Sequence, residues 1–535
     1  MKQRKYLDIN GAVGRLCSPQ KHFPFEPTEL LKDMRSVRVH GAAITHNESR
    51  EYSYVAGDRK LSKLAQEESR LFGVATLPPT FALETGKTDY LNNLLDNGFR
   101  GVRYLCGSAR DLRSIAEALT IHGLPLFYPL IPFGFDLLED ILENYRELNV
   151  IVLSASWSDN RRLFPLLERH DRLYFEYSRN QANDILEITK KHFGIERVLF
   201  GTGWPYTSMG ALKSLTEYAV LSEDEKDAVA HKNACRLLNI DPALLKPYDD
   251  ADCEFDTIAA AADCGSPMPI KVIDCHTHMT KKEDVTPTVA MMLNSDCEKI
   301  AQKLDRLGVS AIITAPWEGI ATDGISGNEQ TVAAAVKYPG RFLGWNTCNI
   351  NYPEDLQRWR DYFEKYPDIF VGIKPYWPYQ KFSLLDERLV SWLEYADSRK
   401  LLLLLHTDSI ERLGEAEILF ARYPNITFVL AHAGSSFAVA EECVRLANAR
   451  ENVVLELTYT TLTRGMVEYL VREVGADKVL YGSDLPMRDP SPQLGWVAYA
   501  RIPEEDKAKI LSVNIQRLLA LRKANPNKTA NQVLD

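Results

Sequence analysis

Four histidines in the second half of the chain stand where apolar runs end. His276 and His278 close Lys271-Val-Ile-Asp-Cys-His-Thr-His278, His406 follows Leu401–Leu405, and His432 follows Phe428-Val-Leu-Ala431. Asp484 follows Lys478-Val-Leu-Tyr-Gly-Ser483. Side chains alternate along a strand, so both imidazoles of a His-x-His point to one side, and Cys275 between them faces away. Any one of these histidines alone is readily a satisfied core or surface residue. Together with Asp484 they predict a divalent metal site. Neutral imidazole and carboxylate suit Zn²⁺, with Fe²⁺ or Mn²⁺ as alternatives, and such a metal polarises a substrate or lowers the pKa of a bound water to about 7.

Such a site needs elements that bring distant residues together. Short apolar runs at 271–275, 310–315, 342–346, 369–374, 401–406, 426–431, 453–458 and 478–482 alternate with amphipathic stretches such as 296–307, 352–366, 385–399, 409–422 and 436–449. That alternation predicts parallel β/α units. Eight of them in about 250 residues fit a TIM barrel, whose active face lies at the C-terminal strand ends. The candidate ligands end strands one, five, six and eight of this series. Trp317, Glu318, Trp345, Asn346, Tyr376, Trp377, Tyr459 and Arg464 also fall at strand ends. Of these, Trp317, Trp345, Tyr376, Tyr459 and Arg464 are the candidates for a substrate pocket, and an aromatic, partly cationic mouth suits a small aromatic or unsaturated carboxylic acid. Glu456 has no better claim by strand phase than these.

Five phrases occur in order: Asp274-Cys-His-Thr-His278, Gly372-Ile-Lys-Pro375, Leu405-His406-Thr, Leu430-Ala-His432-Ala-Gly434 and Tyr481-Gly-Ser-Asp484-Leu-Pro486. With Asn514 and Arg517-Leu-Leu519 as a closing helix, residues 270 to 520 or so resemble the amidohydrolase superfamily. The likeness is greater to the amidohydrolase-related branch that includes aminocarboxymuconate-semialdehyde decarboxylase. The resemblance implies that His276, His278, His406 and Asp484 bind one metal. It makes His432 a general acid/base and places Asp484 to take a proton as well. Lys374 is a substrate contact or, as in other branches, a carbamate bridging two metals; the matched branch favours one metal. Hydrolysis of an amide, ester or lactone is the first reading of the chemistry, with non-oxidative decarboxylation as the alternative. A metal-containing binding protein without turnover is the reading from a different class.

Composition narrows the setting. Hydrophobic content of 45% with 25% charged residues is that of a globular protein, and a net charge of −10 disfavours nucleic-acid binding. Met1-Lys-Gln-Arg-Lys5 is basic without a following apolar segment, so no secretory signal is read. No apolar run approaches the roughly 20 residues of a membrane helix. Nine scattered cysteines without zinc-ribbon spacing read as reduced thiols of a cytoplasmic protein. The expected partner is a small-molecule substrate, with neither nucleic acid nor membrane.

The chain also repeats itself. Ile195-Glu-Arg-Val-Leu-Phe-Gly-Thr-Gly-Trp-Pro205 parallels Ala476-Asp-Lys-Val-Leu-Tyr-Gly-Ser-Asp-Leu-Pro486 at an offset of 281, which also carries Asn233-Ala-Cys-Arg-Leu-Leu238 onto Asn514-Ile-Gln-Arg-Leu-Leu519. Phe99-Arg-Gly-Val-Arg-Tyr104 resembles Phe370-Val-Gly-Ile-Lys-Pro375. A repeat with the period of a whole domain means duplication. The expected fold is therefore α/β with two tandem (β/α)8 barrels: 1–246 degenerate, 247–269 a linker, 270–525 catalytic. In the first copy His276 and His278 become Asn10 and Ala12, Lys374 becomes Arg103, His406 becomes Tyr128, His432 becomes Ala155 and Asp484 becomes Gly203, so this copy cannot run the same chemistry. Fused copies are expected to pair within one chain as separate barrels do in dimers of the branch, with further homo-oligomerisation open.

Overall fold

Strands buried on both faces of a parallel sheet read as near-continuous apolar runs, and the runs above become strands. The computed structural model describes residues 4–18, 20–249, 253–284, 291–407 and 409–521. The chain divides into two compact units, Met1–Glu254 and Phe255–Asp535. Within the stretch read as a linker, Thr257–Cys264 is a helix. The Asp256 side chain caps its start, accepting from Ala259 N, and a left-handed Gly265 ends it. It packs against Pro490–Ala498 of the second unit. Residues 250–252 of that stretch, and 522–525 at the expected end of the catalytic unit, lie outside the described residues. No helix among the described residues is long and apolar enough to cross a membrane.

In the first unit the strands are β1 (Leu7–Val13), β2 (Gly41–His46), β3 (Leu71–Gly73), β4 (Ala75–Leu77), β5 (Val102–Tyr104), β6 (Leu126–Pro129), β7 (Val150–Leu153), β8 (Leu173–Glu176) and β9 (Val198–Leu199). They form parallel sheets β1-β2-β3 and β4 through β9 in sequence order. Between β3 and β4 the chain is interrupted at Val74, whose N–H turns to Ile44 O while Ala75 N–H donates to Gly101 O. At the other edges Ile9 N–H donates to Phe200 O and Ala12 N–H to Trp204 O.

The second unit holds β10 (Val272–Thr277), β11 (Val309–Thr314), β12 (Phe342–Cys348), β13 (Phe370–Pro375), β14 (Leu402–His406), β15 (Thr427–Ala431), β16 (Val453–Glu456) and β17 (Val479–Leu480). All eight pair in parallel and in sequence order. The sheet is a nearly closed barrel: Cys275 N–H donates to Tyr481 O, and Asp484 N–H to His276 O. Ile273, Cys275, Ile313, Leu343, Trp345, Leu404 and Val429 belong to one buried core cluster. Gly372 is required where β13 meets β14, because a Cβ there would run into the Leu402 carbonyl.

The two units share local oddities at matching positions. A π-helical turn occurs at Ala228–Lys232 and again at Lys509–Val513. The side chains of Asn233 and Asn514 follow these turns. Asn233 Nδ2 donates to Ile195 O and Val198 O, and Asn514 Nδ2 to Ala476 O and Val479 O.

Candidate metal centre

The strand ends of the second unit carry the predicted residues to one place. His432 and Asp484 each follow their strand in the left-handed region, at φ 64° and 62°. That turn is costly for a residue with a Cβ, and here it swings both side chains toward His276. His276 lies on β10 and His278 directly after it, with ring centroids 5.5 Å apart, and His276 is 5.1 Å from His432. His278 Nε2 is 3.0 Å and His276 Nε2 3.7 Å from Asp484 Oδ1.

Each imidazole is oriented from behind. Glu456 Oε2 lies 3.0 Å from His276 Nδ1, Ala315 O 2.7 Å from His278 Nδ1, and Thr458 O 2.8 Å from His432 Nδ1. These partners only accept, so each Nδ1 carries the hydrogen and each Nε2 turns a lone pair into the mouth. Burial, reinforced by Lys374, keeps His276 well below the usual imidazole range and lowers His278 in the same way. Burial and the neighbouring His406 do so for His432. For Asp484 burial works against ionisation. The buried Arg488, bonded to its Oδ2, is the largest influence in the other direction, and the carboxyl is held well below its normal range.

His276, His278 and Asp484 form a donor group within 4.8 Å, and so do His276, His432 and Glu456. The first group fits a divalent cation: two neutral Nε2 lone pairs and one anionic oxygen converge, with the Nδ1 sides already anchored. In the second group Glu456 meets His276 through Nδ1, so that group is the support of the first and not a second cation site. His406 stands one step out. Its Nδ1 is 3.1 Å from His432 Nε2, and it belongs to neither group among the described residues. Lys374 Nζ donates to His276 Nε2 at 2.7 Å, and burial pushes the amine down to about 8 against the pull of Asp484 and Glu456.

Of the expected pocket residues, Trp317 packs 5.6 Å from the His278 ring, Tyr376 5.5 Å from His406 and Tyr459 5.9 Å from His432. Trp345 is instead fully buried in the core, where its indole N–H donates to Cys275 O; alternation along β12 turns it inward beneath the mouth. Arg464 sits half-buried in the turn before the helix Met466–Val474. Glu456 exceeds its sequence claim: His276 Nδ1, His432 N, Thr458 N and Thr458 Oγ1 all converge on its carboxylate. Asp274 is a second support, accepting from His276 N, Ser483 N and Ser483 Oγ. Arg488 drew no notice in the sequence. A signal for Glu456 existed, because its counterpart Glu176 is retained in the copy that lost every ligand.

That first copy holds the scaffold without the donors. Asp8 accepts from Thr202 as Asp274 does from Ser483, and Glu176 accepts from Asn10, Ser154 and Ser178 as Glu456 does from His276, His432 and Thr458. The register corrects two sequence pairings by one residue. His432 corresponds to Ser154, not Ala155: both are left-handed and both donate their N–H to the glutamate. Leu126 pairs with Val102 as Leu403 pairs with Ile373, so Pro129, not Tyr128, stands at the place of His406.

The sequence model of the amidohydrolase family matches residues 20–240 and again 273–521. No curated protein matches the chain. Among solved structures, 2,6-dihydroxybenzoate decarboxylase from Rhizobium is 16% identical, with a TM-score of 0.37 over 47% of this chain and 99% of its own. A 5-carboxyvanillate decarboxylase from Novosphingobium aromaticivorans, complexed with manganese and 4-hydroxy-3-methoxy-5-nitrobenzoic acid, is 15% identical, with a TM-score of 0.38 over 47% of this chain and 96% of its own.

Proposed function

The chain belongs to the amidohydrolase family and is an enzyme of that superfamily, and from that premise we propose that its second unit is a mononuclear, divalent-metal-dependent enzyme for a small organic molecule. The observation that carries this reading is the convergence of His276 Nε2, His278 Nε2 and Asp484 Oδ1, with both Nδ1 atoms tied down behind. His276, His278 and Asp484 would hold the metal, with His406 as the fourth ligand after a small approach. The donor set suits Zn²⁺ first, with Fe²⁺ or Mn²⁺ as alternatives. A divalent cation bound there supplies Lewis-acid chemistry.

The chain's own residues divide the remaining work. His432 keeps a neutral Nε2 lone pair, 3.1 Å from His406 Nδ1, while Thr458 O holds its Nδ1–H, and we assign it the proton transfer of the reaction. Asp484 is a poorer base than expected, because Arg488 keeps it anionic; we assign it to ligation. Lys374 is read as an orienting cation for the substrate. Hydrolysis of an amide, ester or lactone is the first reading. Decarboxylation is the second, favoured by Lys374 lying 5.9 Å from the Tyr376 ring, with Trp317 against His278 and Tyr459 against His432, a setting for an aromatic or unsaturated carboxylate. We read the first unit as a degenerate second barrel left by tandem duplication. The test is incubation of the metal-loaded full chain with panels of lactones, esters, amides and aromatic acids while carbon dioxide and hydrolysis products are followed. Release of carbon dioxide without hydrolysis selects the second reading, and no turnover by protein carrying stoichiometric metal refutes both.

A further inference from the structure

Arg103 lies on β5 of the first unit, at the position Lys374 holds on β13 of the second. Gly101-Val-Arg103 stands for Gly372-Ile-Lys374, and the close approach that requires Gly372 recurs at Gly101, where a Cβ would lie 2.7 Å from Pro125 O. Lys374 spends its charge on His276. Its counterpart there, Asn10, has its amide turned to Glu176 at 2.9 Å and to Ser154 Oγ at 3.3 Å. Arg103 forms no hydrogen bond or ion pair among the described residues, although it feels the charges of Arg50 and Glu176. Glu176 does not bond it in the present arrangement: Asn10, Ser154 N and Ser178 Oγ reach Glu176 Oε1, and Ser178 N reaches Oε2. Gly201 lies close against the same side chain. Arg50 adds a second positive charge, and its only described acceptor is the neighbouring Glu51, at 3.3 Å.

A guanidinium stays charged at neutral pH even when burial lowers it to about 10. Arg103 is only half-buried, and a guanidinium without a protein acceptor leaves its donors to water or to a ligand. Five N–H donors in a planar fork match a carboxylate bidentately. The hydroxyl hydrogen of Ser154 remains available in the network around Glu176, since Ser154 Oγ accepts from Asn10 while Ser154 N–H donates to Glu176. We propose that the strand-end recess of the first unit is a binding site for a small organic carboxylate, anchored by Arg103 and steadied by Ser154. Monoanions are favoured over a phosphate dianion, because Glu176 lies nearby and Arg50 already shares its charge with Glu51. No proton acceptor corresponding to His432 is present, so the ligand is bound and not turned over.

The test is calorimetric titration of the full-length protein with sodium benzoate and, separately, with inorganic phosphate, in wild type, Arg103→Met and Arg103→Lys. Lys374→Met serves as the background in which the second unit's cation is gone. Benzoate is expected to bind with Arg103-dependent affinity that falls roughly tenfold or more in Arg103→Met, falls less in Arg103→Lys, and persists in the Lys374→Met background. Ligand-free Arg103→Met should unfold at or above the temperature of wild type, since it loses only an unpartnered charge. Benzoate affinity unchanged in Arg103→Met, no binding at ~10 mM benzoate, stronger binding of phosphate, or a lowered unfolding temperature for the ligand-free variant would each overturn the proposal.

Discussion

Glu456→Gln isolates what the support behind the candidate metal centre contributes. The carboxylate is wholly buried and accepts four donors. Thr458 N and Thr458 Oγ1 reach one oxygen, and His276 Nδ1 and His432 N reach the other. Glutamine keeps one oxygen. If that oxygen stays with Thr458, the new NH₂ faces two donors. His276 then relieves the clash by giving up its Nδ1 hydrogen, which places the hydrogen on Nε2, the atom that should bind the metal. If the amide flips, the two Thr458 donors lose their acceptor. Either way one charge-assisted interaction is lost, about 1.5–3 kcal/mol, and the expected weakening of metal affinity is about 10–100-fold. The ligand-free variant should stay folded, because the substitution also removes a carboxyl that burial already pushes toward its neutral form. Competition with a chromophoric chelator measures the affinity, and circular dichroism checks the fold. A well-folded Glu456→Gln that binds metal within about twofold of wild type would show that Glu456 does not set the His276 tautomer.

Purified protein should carry about one divalent transition metal per chain, and His276→Ala or His406→Ala should lose most of it by elemental analysis; two metals bridged by a modified Lys374 would contradict the mononuclear reading. His432→Ala should keep the metal while turnover drops by about 10²–10⁴-fold, so loss of metal in this variant would make His432 a ligand. In the first unit, burial raises the Asp58 carboxyl to about 7, though Tyr90 and Ser49 bond it. The folded state then binds a proton that the unfolded state has released, so stability contributed by this group is present below pH about 4 and declines as pH rises toward about 7. Asp58→Asn should flatten that decline in unfolding-temperature measurements across this range, and an unchanged profile would count against the shift.

Much of this protein is legible before folding. The strands of the second unit fall within two residues of their apolar runs, because a parallel strand covered on both faces has little room for polar interruption. The clustering of the candidate histidines and Asp484 is foreshadowed too, since strand ends are where a barrel gathers side chains at one face. The offset of 281 likewise reveals the duplicated halves without coordinates. What the sequence could not supply is whatever depends on which groups meet across strands. Glu456 looks like any strand-end carboxylate until β10, β15 and the turn after β16 converge on it. Arg488 matters only because the chain after Asp484 folds back onto Oδ2. Trp345 reads as a mouth residue until β12 is set in depth and turns it into the core. The pairings of His406 and His432 in the first copy slip by one, because alternation gives phase within a strand but not register between strands. Sequence periodicity reports how each element meets its immediate surroundings. Hydrogen-bond partners and charge pairing between distant elements come into being only when the tertiary fold closes.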